Sequence, residues 1–143
     1  MQEAFDLYLA DEAAASVERD EPSLEAGIQR ISESGGMPAL AHPVRLPQRG
    51  PELASLLERL VDLGLQGIEV FHSEHSPADT AEYSQLAGRL DLIPTGGTDF
   101  HGDNKPRIRL GTGIDSNISL TYKFLENMRD MFAARQHRTS DAL

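Results

Sequence analysis

The sequence predicts an α/β protein in which parallel strands are flanked by helices, and two observations predict it. Short apolar runs at residues 37–41, 67–71 and 91–95 alternate with longer stretches of helical periodicity. That alternation is the pattern of βαβ crossovers and a parallel sheet. Each run is followed by a polar cluster: His42 after the first, His72 with Glu74 and His75 after the second, Asp99 with His101 after the third. Parallel α/β folds build their sites at these C-terminal strand ends, so three clusters distant in sequence are expected to meet.

In chain order, residues 2–15 read as a helix with a thin apolar side, supported by Ala13-Ala14-Ala15. A second helix is expected with Pro22 in its first turn, Leu24, Ile28 and Ile31 along one face, and Gly35-Gly36 as its stop. The strand at 37–41 ends at His42-Pro43, and proline biases the residue before it toward extended backbone. Leu53, Leu56, Leu57, Leu60 and Val61 form the apolar face of the next helix, which Gly64 closes. The strand at 67–71 delivers His72. Ser76-Pro77-Ala78-Asp79 then has the form of a capping box opening a helix to about Gly88. The third strand leads into Asp99. Residues 110–114 read as a fourth short strand, and Leu120, Phe124, Leu125, Met128 and Phe132 mark a terminal helix before a polar tail. The expected organisation is a helical segment at 1–20, the main α/β unit at 21–135 and a frayed tail at 136–143.

At 143 residues the chain is of single-domain size. It contains no cysteine, so a metal would be held by His, Asp, Glu and water rather than thiolate. No apolar run approaches the ~18 residues of a membrane span, and no signal-peptide pattern opens the chain, which makes a cytoplasmic protein the default expectation. The net charge is −10, and residues 1–33 carry −7 of it: nine acids against Arg19 and Arg30. Such a surface argues against broad nonspecific nucleic-acid binding, which depends on phosphate attraction. It leaves room for a local basic pocket that takes one phosphate.

The stretch Thr95-Gly96-Gly97-Thr98-Asp99-Phe100-His101-Gly102 is the centre of the functional reading. In an extended segment Asp99 and His101 project to the same side, and a carboxylate beside an imidazole suits a divalent metal. The alternative is a polar loop with a capping aspartate. His42 is a metal-ligand candidate or a strand-end histidine bonded to backbone. His72 is a site candidate, His75 a weaker one, and His137 reads as incidental. Glu69 lies inside a strand, where a buried carboxylate needs a partner. Lys105, Arg107 and Arg109 are either the outer face of an edge strand or a phosphate-capturing run, with Arg45 and Arg49 adding charge from another loop.

Leu40-Ala41-His42-Pro43, Gly67-Ile68-Glu69-Val70, the Thr95–Gly102 stretch and Lys105-Pro106, in that order, resemble the C-terminal part of the PHP (polymerase and histidinol phosphatase) superfamily. They most resemble its metal-dependent phosphoesterases related to nucleoside 3′,5′-bisphosphate phosphatase and RNase AM. The resemblance implies a distorted (β/α)₇ barrel, of which this chain would be the C-terminal half, with manganese, iron or zinc at the mouth. It implies His42, Asp99 and His101 as metal ligands. Beside it, the reading of the residues themselves offers His72, Lys105, Arg107 and Arg109 as contacts to a phosphorylated small molecule, nucleotide or short nucleic-acid end.

The family's N-terminal metal motifs are missing, since no histidine precedes His42. Residues 1–20 read as the end of a helical insertion. The chain is therefore expected to be incomplete as an enzyme, and an N-terminal half or self-association through open strand edges would complete it. The rival reading is a non-catalytic half-barrel that acts as an interaction module. A third is a hydrolase of another metal-dependent barrel family, such as the amidohydrolases.

Overall fold

The computed structural model describes residues 21–140 as a continuous run, without the side chains of 137–140, and residues 3, 7, 8, 13, 15 and 17 before it. The helix expected at 2–15 lies largely outside the described residues, as does the side chain of His137.

Helix α1 spans Leu24–Glu33. Ser23 is its N-cap: the hydroxyl accepts the Ala26 N–H at 3.2 Å, so Pro22 precedes the cap instead of occupying the first turn. Strand β1 is only Ala39–Leu40. Helix α2, Gly50–Asp62, buries Leu53, Leu57 and Leu60, the face its periodicity predicts. Strand β2, Gly67–His72, is almost wholly buried. Helix α3, Pro77–Arg89, opens on the expected capping box: Ser76 Oγ accepts the Asp79 N–H at 3.2 Å and Asp79 Oδ2 accepts the Ser76 N–H at 2.8 Å. Strand β3 is Ile93–Gly97, and helix α4 is Tyr122–Ser140. Helix α4 runs past Arg135, where the sequence suggested a frayed tail; Ala133-Ala134-Arg135-Gln136 favours continued helix.

The three strands form one parallel sheet in the order β1-β2-β3, with Leu40 opposite Ile68 and Ile68 opposite Pro94. Helices α2 and α3 are the two crossovers. The core lies beneath β2, where Leu53, Leu57, Leu60, Ile68, Val70, Tyr83, Leu86 and Leu92 pack with Ile28.

Two further expectations change. Residues 110–114 are not a strand: Gly111 and Gly113, at φ +78° and +73°, fold them into a turn closed by an Arg109–Gly113 antiparallel bridge. The α1 stripe is mostly uncovered, since Ile28 is buried but Leu24 and Ile31 are 68% and 44% exposed. Amphipathic spacing thus found the helix but did not identify a covered face. No described helix is long and apolar enough to cross a membrane.

Candidate functional site

The C-terminal ends of all three strands contribute to one polar cluster, built around Asp99. Asp99 follows β3 in left-handed backbone at φ +55°. Its Oδ2 accepts from Arg45 Nη2 at 2.8 Å and from Lys105 Nζ at 2.5 Å. Arg45 stands in the short 3₁₀ turn Pro43–Arg45 after β1, and its Nε also donates to Glu74 Oε2 at 2.9 Å. Residues from the ends of β1, β2 and β3 are thereby joined by one guanidinium.

His42 departs from expectation in conformation. It is left-handed, φ +33° and ψ +59°, where the following proline favours extended backbone. Its N–H donates to Glu69 Oε2 at 2.6 Å, which offsets part of a strain of about 1–3 kcal/mol. Glu69 sits at an irregularity in the β2–β3 pairing, so the buried-strand carboxylate flagged by sequence finds its partner across 27 residues. The His42 and His72 rings lie 6.0 Å apart, edge to face.

His72 is 1% exposed beneath Asp99, with Nε2 3.7 Å from Asp99 Oδ2. Burial pushes its imidazole pKa down, opposed mainly by the negative charge of Glu69. His75 is also buried, its ring against His72 and Tyr83. His101 is half exposed, and its Nδ1 lies 2.7 Å from the Asp99 carbonyl, so Nδ1–H donates and Nε2 keeps the lone pair. Arg107 and Arg109 are exposed on the turn after Lys105 and do not join the Asp99 cluster. Arg49 instead donates to the carbonyls of Val44, Leu46 and Gln48.

These donors suit a hard or borderline divalent ion, and His101 has the tautomer of a metal-ligating imidazole. Yet no group of three or more His, Asp or Glu side chains among the described residues converges to hold a metal. Arg45 and Lys105 occupy the Asp99 carboxylate instead. The cluster as it stands is an anion held by two cations, and a complete metal site would need donors from beyond it.

A tightly packed loop forms one wall. Ser73 Oγ donates to the Thr98 carbonyl at 2.7 Å, and Asn117 Nδ2 donates to the Ser73 carbonyl at 2.8 Å. Gly113 closes this knot: a Cβ there would lie 2.8 Å from Ile118 Cγ1 and 2.9 Å from Ser73 Oγ, and closer still to Asn117 Oδ1. Gly113→Ala is therefore expected to destabilise the chain by about 1–3 kcal/mol, through overpacking and positive φ together. Urea denaturation of the variant measures this, and an unchanged midpoint would mean that the loop yields freely.

The ionisation of the cluster predicts acid sensitivity. The hydrogen bond from Lys105, followed by that from Arg45, holds Asp99 well below the usual carboxylate range. Arg45 likewise depresses Glu74. Asp99, Glu74 and His72 all bind protons more readily unfolded than folded, so their contribution is present at neutral pH and falls with pH. Loss should begin below the ordinary imidazole pKa of about 6.5 as unfolded His72 protonates, and deepen below about 4 as unfolded carboxylates do. Melting temperature measured from pH 7.5 to 3.5 should fall in those two stages; a flat profile to pH 4.5 would remove His72 from the account.

No protein-family model matches the sequence. The chain is 44% identical over 75 residues to a phosphoribosyl 1,2-cyclic phosphate 1,2-diphosphodiesterase of Eggerthella lenta, covering 52% of this chain and 27% of that protein. It is 34% identical over 105 residues to a 3′,5′-nucleoside bisphosphate phosphatase of Chromobacterium violaceum, covering 71% and 35%. A 5′-3′ exoribonuclease Rnm of Salmonella typhimurium is 32% identical over 111 residues, covering 78% and 38%. Among solved structures, an amidohydrolase from Chromobacterium violaceum with bound sulfate and no metal superposes with TM-score 0.63 at 27% identity, over 89% of this chain and 44% of that one. A candidate metal-dependent phosphoesterase from Bifidobacterium adolescentis gives 0.64 at 25% identity, over 91% and 44%. The chain spans between a quarter and two fifths of the length of these curated relatives. In sequence and in fold this chain is a relative of the PHP-superfamily metal-dependent phosphoesterases, matched over part of their length.

Proposed function

We propose that the chain carries part of the active site of a metal-dependent phosphoesterase that hydrolyses a phosphate ester on a nucleotide or a nucleic-acid end. The observation that carries this reading is the convergence of Arg45 and Lys105 on Asp99 at the C-terminal ends of three parallel strands. Two cations fixed beside an exposed imidazole can take the oxygens of a phosphate, with Arg107 and Arg109 lending charge from the same turn. Relatives whose names specify cyclic phosphate, bisphosphate and ribonuclease chemistry favour the same substrate class. Asp99, His101 and His42 would contribute to holding manganese, iron or zinc, with further donors from outside the described residues. Such an ion would activate water and neutralise charge on the phosphate oxygens.

A second reading, an interaction module, has its own observation: β1 and β3 are the two edges of a three-stranded sheet, and Leu24 and Ile31 are uncovered.

Elemental analysis after incubation with Mn²⁺ or Zn²⁺, with phosphate release from a nucleoside 3′,5′-bisphosphate, separates the two. Near-stoichiometric metal in the wild type, lost in Asp99→Ala/His101→Ala, is the result expected of the phosphoesterase reading. No metal in either protein, together with a dimer in light scattering, would replace it with the module.

A further inference from the structure

The buried imidazoles behind the site have hydrogen-bond partners that differ in kind. The Glu74 N–H donates to His72 Nδ1 at 3.1 Å, so that nitrogen supplies a lone pair and the proton of neutral His72 sits on Nε2. His75 Nδ1 lies 2.9 Å from the Val70 carbonyl, which can only accept, so His75 carries its proton on Nδ1 and its lone pair on Nε2. The two rings are 5.0 Å apart and 1% and 7% exposed, shut off from water that would let them exchange tautomers. Among the described residues neither Nε2 has a hydrogen-bond partner, and His72 Nε2 stands 3.7 Å from Asp99 Oδ2.

We infer that the backbone groups of Glu74 and Val70 lock His72 and His75 in opposite tautomers, making His72 a positioning residue that presents an N–H to the underside of Asp99. A metal bound at His72 Nε2 would need the ring proton on Nδ1, where it would oppose the Glu74 N–H. His72 is thus a donor in reserve, its Nε2–H aimed at the carboxylate from 3.7 Å, and not a ligand to an ion. When Arg45 and Lys105 turn to a phosphate, Asp99 Oδ2 loses two donors, and the Nε2–H of His72 is the next one within reach. That exchange of donors rests on the phosphoesterase reading; the tautomers do not.

Long-range ¹H–¹⁵N correlation spectra of the imidazoles in the full chain test the inference, with assignments from His72→Gln and His75→Gln. Should either variant fail to fold, through-bond correlations from the backbone assign the wild-type rings. The expected result is a protonated Nε2 on His72 and a protonated Nδ1 on His75. On adding Zn²⁺, His101 or His42 should shift while His72 keeps its pattern. A protonated Nδ1 on His72, before or after Zn²⁺, overturns the inference, as do matching tautomers on the two rings. If Zn²⁺ moves no histidine but the opposite tautomers are seen, the inference stands and the metal-site reading is the one that fails.

Discussion

Ile68→Ala is expected to lower the stability of the chain by about 3–4 kcal/mol, the middle of the range for truncating a fully buried aliphatic side chain. Ile68 is fully buried at the centre of β2, the middle strand, with neighbours Leu40 on one side and Pro94 on the other. Its side chain belongs to the cluster in which α2 contributes Leu53 and Leu57 and α3 contributes Tyr83 and Leu86. Three strands leave few alternative ways to collapse around the void, so most of the cavity would persist. Against a total stability of about 5–15 kcal/mol for a small domain, this is a large fraction. The site depends on the same strand, since Glu69 and His72 both lie on β2, where Glu69 holds His42 and His72 faces Asp99. Denaturant titration should show a lower midpoint at unchanged slope. A change under about 1 kcal/mol would mean that the core is not centred on β2.

Lys105→Met is expected to move the affinities for cation and anion in opposite directions. Lys105 and Arg45 share one carboxylate oxygen of Asp99, and Lys105 is the nearer. Removing the ammonium frees that oxygen and takes away a positive charge that repels any incoming dication. At a few ångströms and an intermediate dielectric such a charge is worth several kcal/mol, reduced by the partial exposure of the site. Binding of Mn²⁺ should tighten by about tenfold, and binding of inorganic phosphate should weaken by about as much, each a change of roughly 1.4 kcal/mol. Isothermal titration of the two ions into wild type and variant gives both numbers. If both affinities fall together, Lys105 serves the fold of the turn and not the electrostatics of the site.

Much of this arrangement was legible in the residues. The periodicity of Leu53, Leu57 and Leu60 marked α2, Ser76 and Asp79 marked the start of α3, and the apolar runs marked all three strands to within a few residues. The polar residues after each run identified the edge where the cluster assembles. These signals survive because they are local: a helix or strand displays its period within one stretch, and a cap is complete within four residues.

What the sequence by itself determined is therefore the α/β class, the order of its elements and the set of residues delivered to one sheet edge. Only the tertiary structure decided how those residues are used. It bent His42 into a left-handed conformation against the bias of Pro43, through a hydrogen bond to Glu69 that spans 27 residues. It gave the Asp99 carboxylate to Arg45, 54 residues away, and to Lys105, where Asp-x-His spacing suggested a metal. It buried His72 and His75 side by side with partners of opposite kind, and left Leu24 and Ile31 uncovered on a face whose spacing suggested core. The physical reason is range: periodicity records which side chains are apolar, whereas the partner of a charge, the tautomer of an imidazole and the cover over a helix face are set by groups that folding brings in from elsewhere.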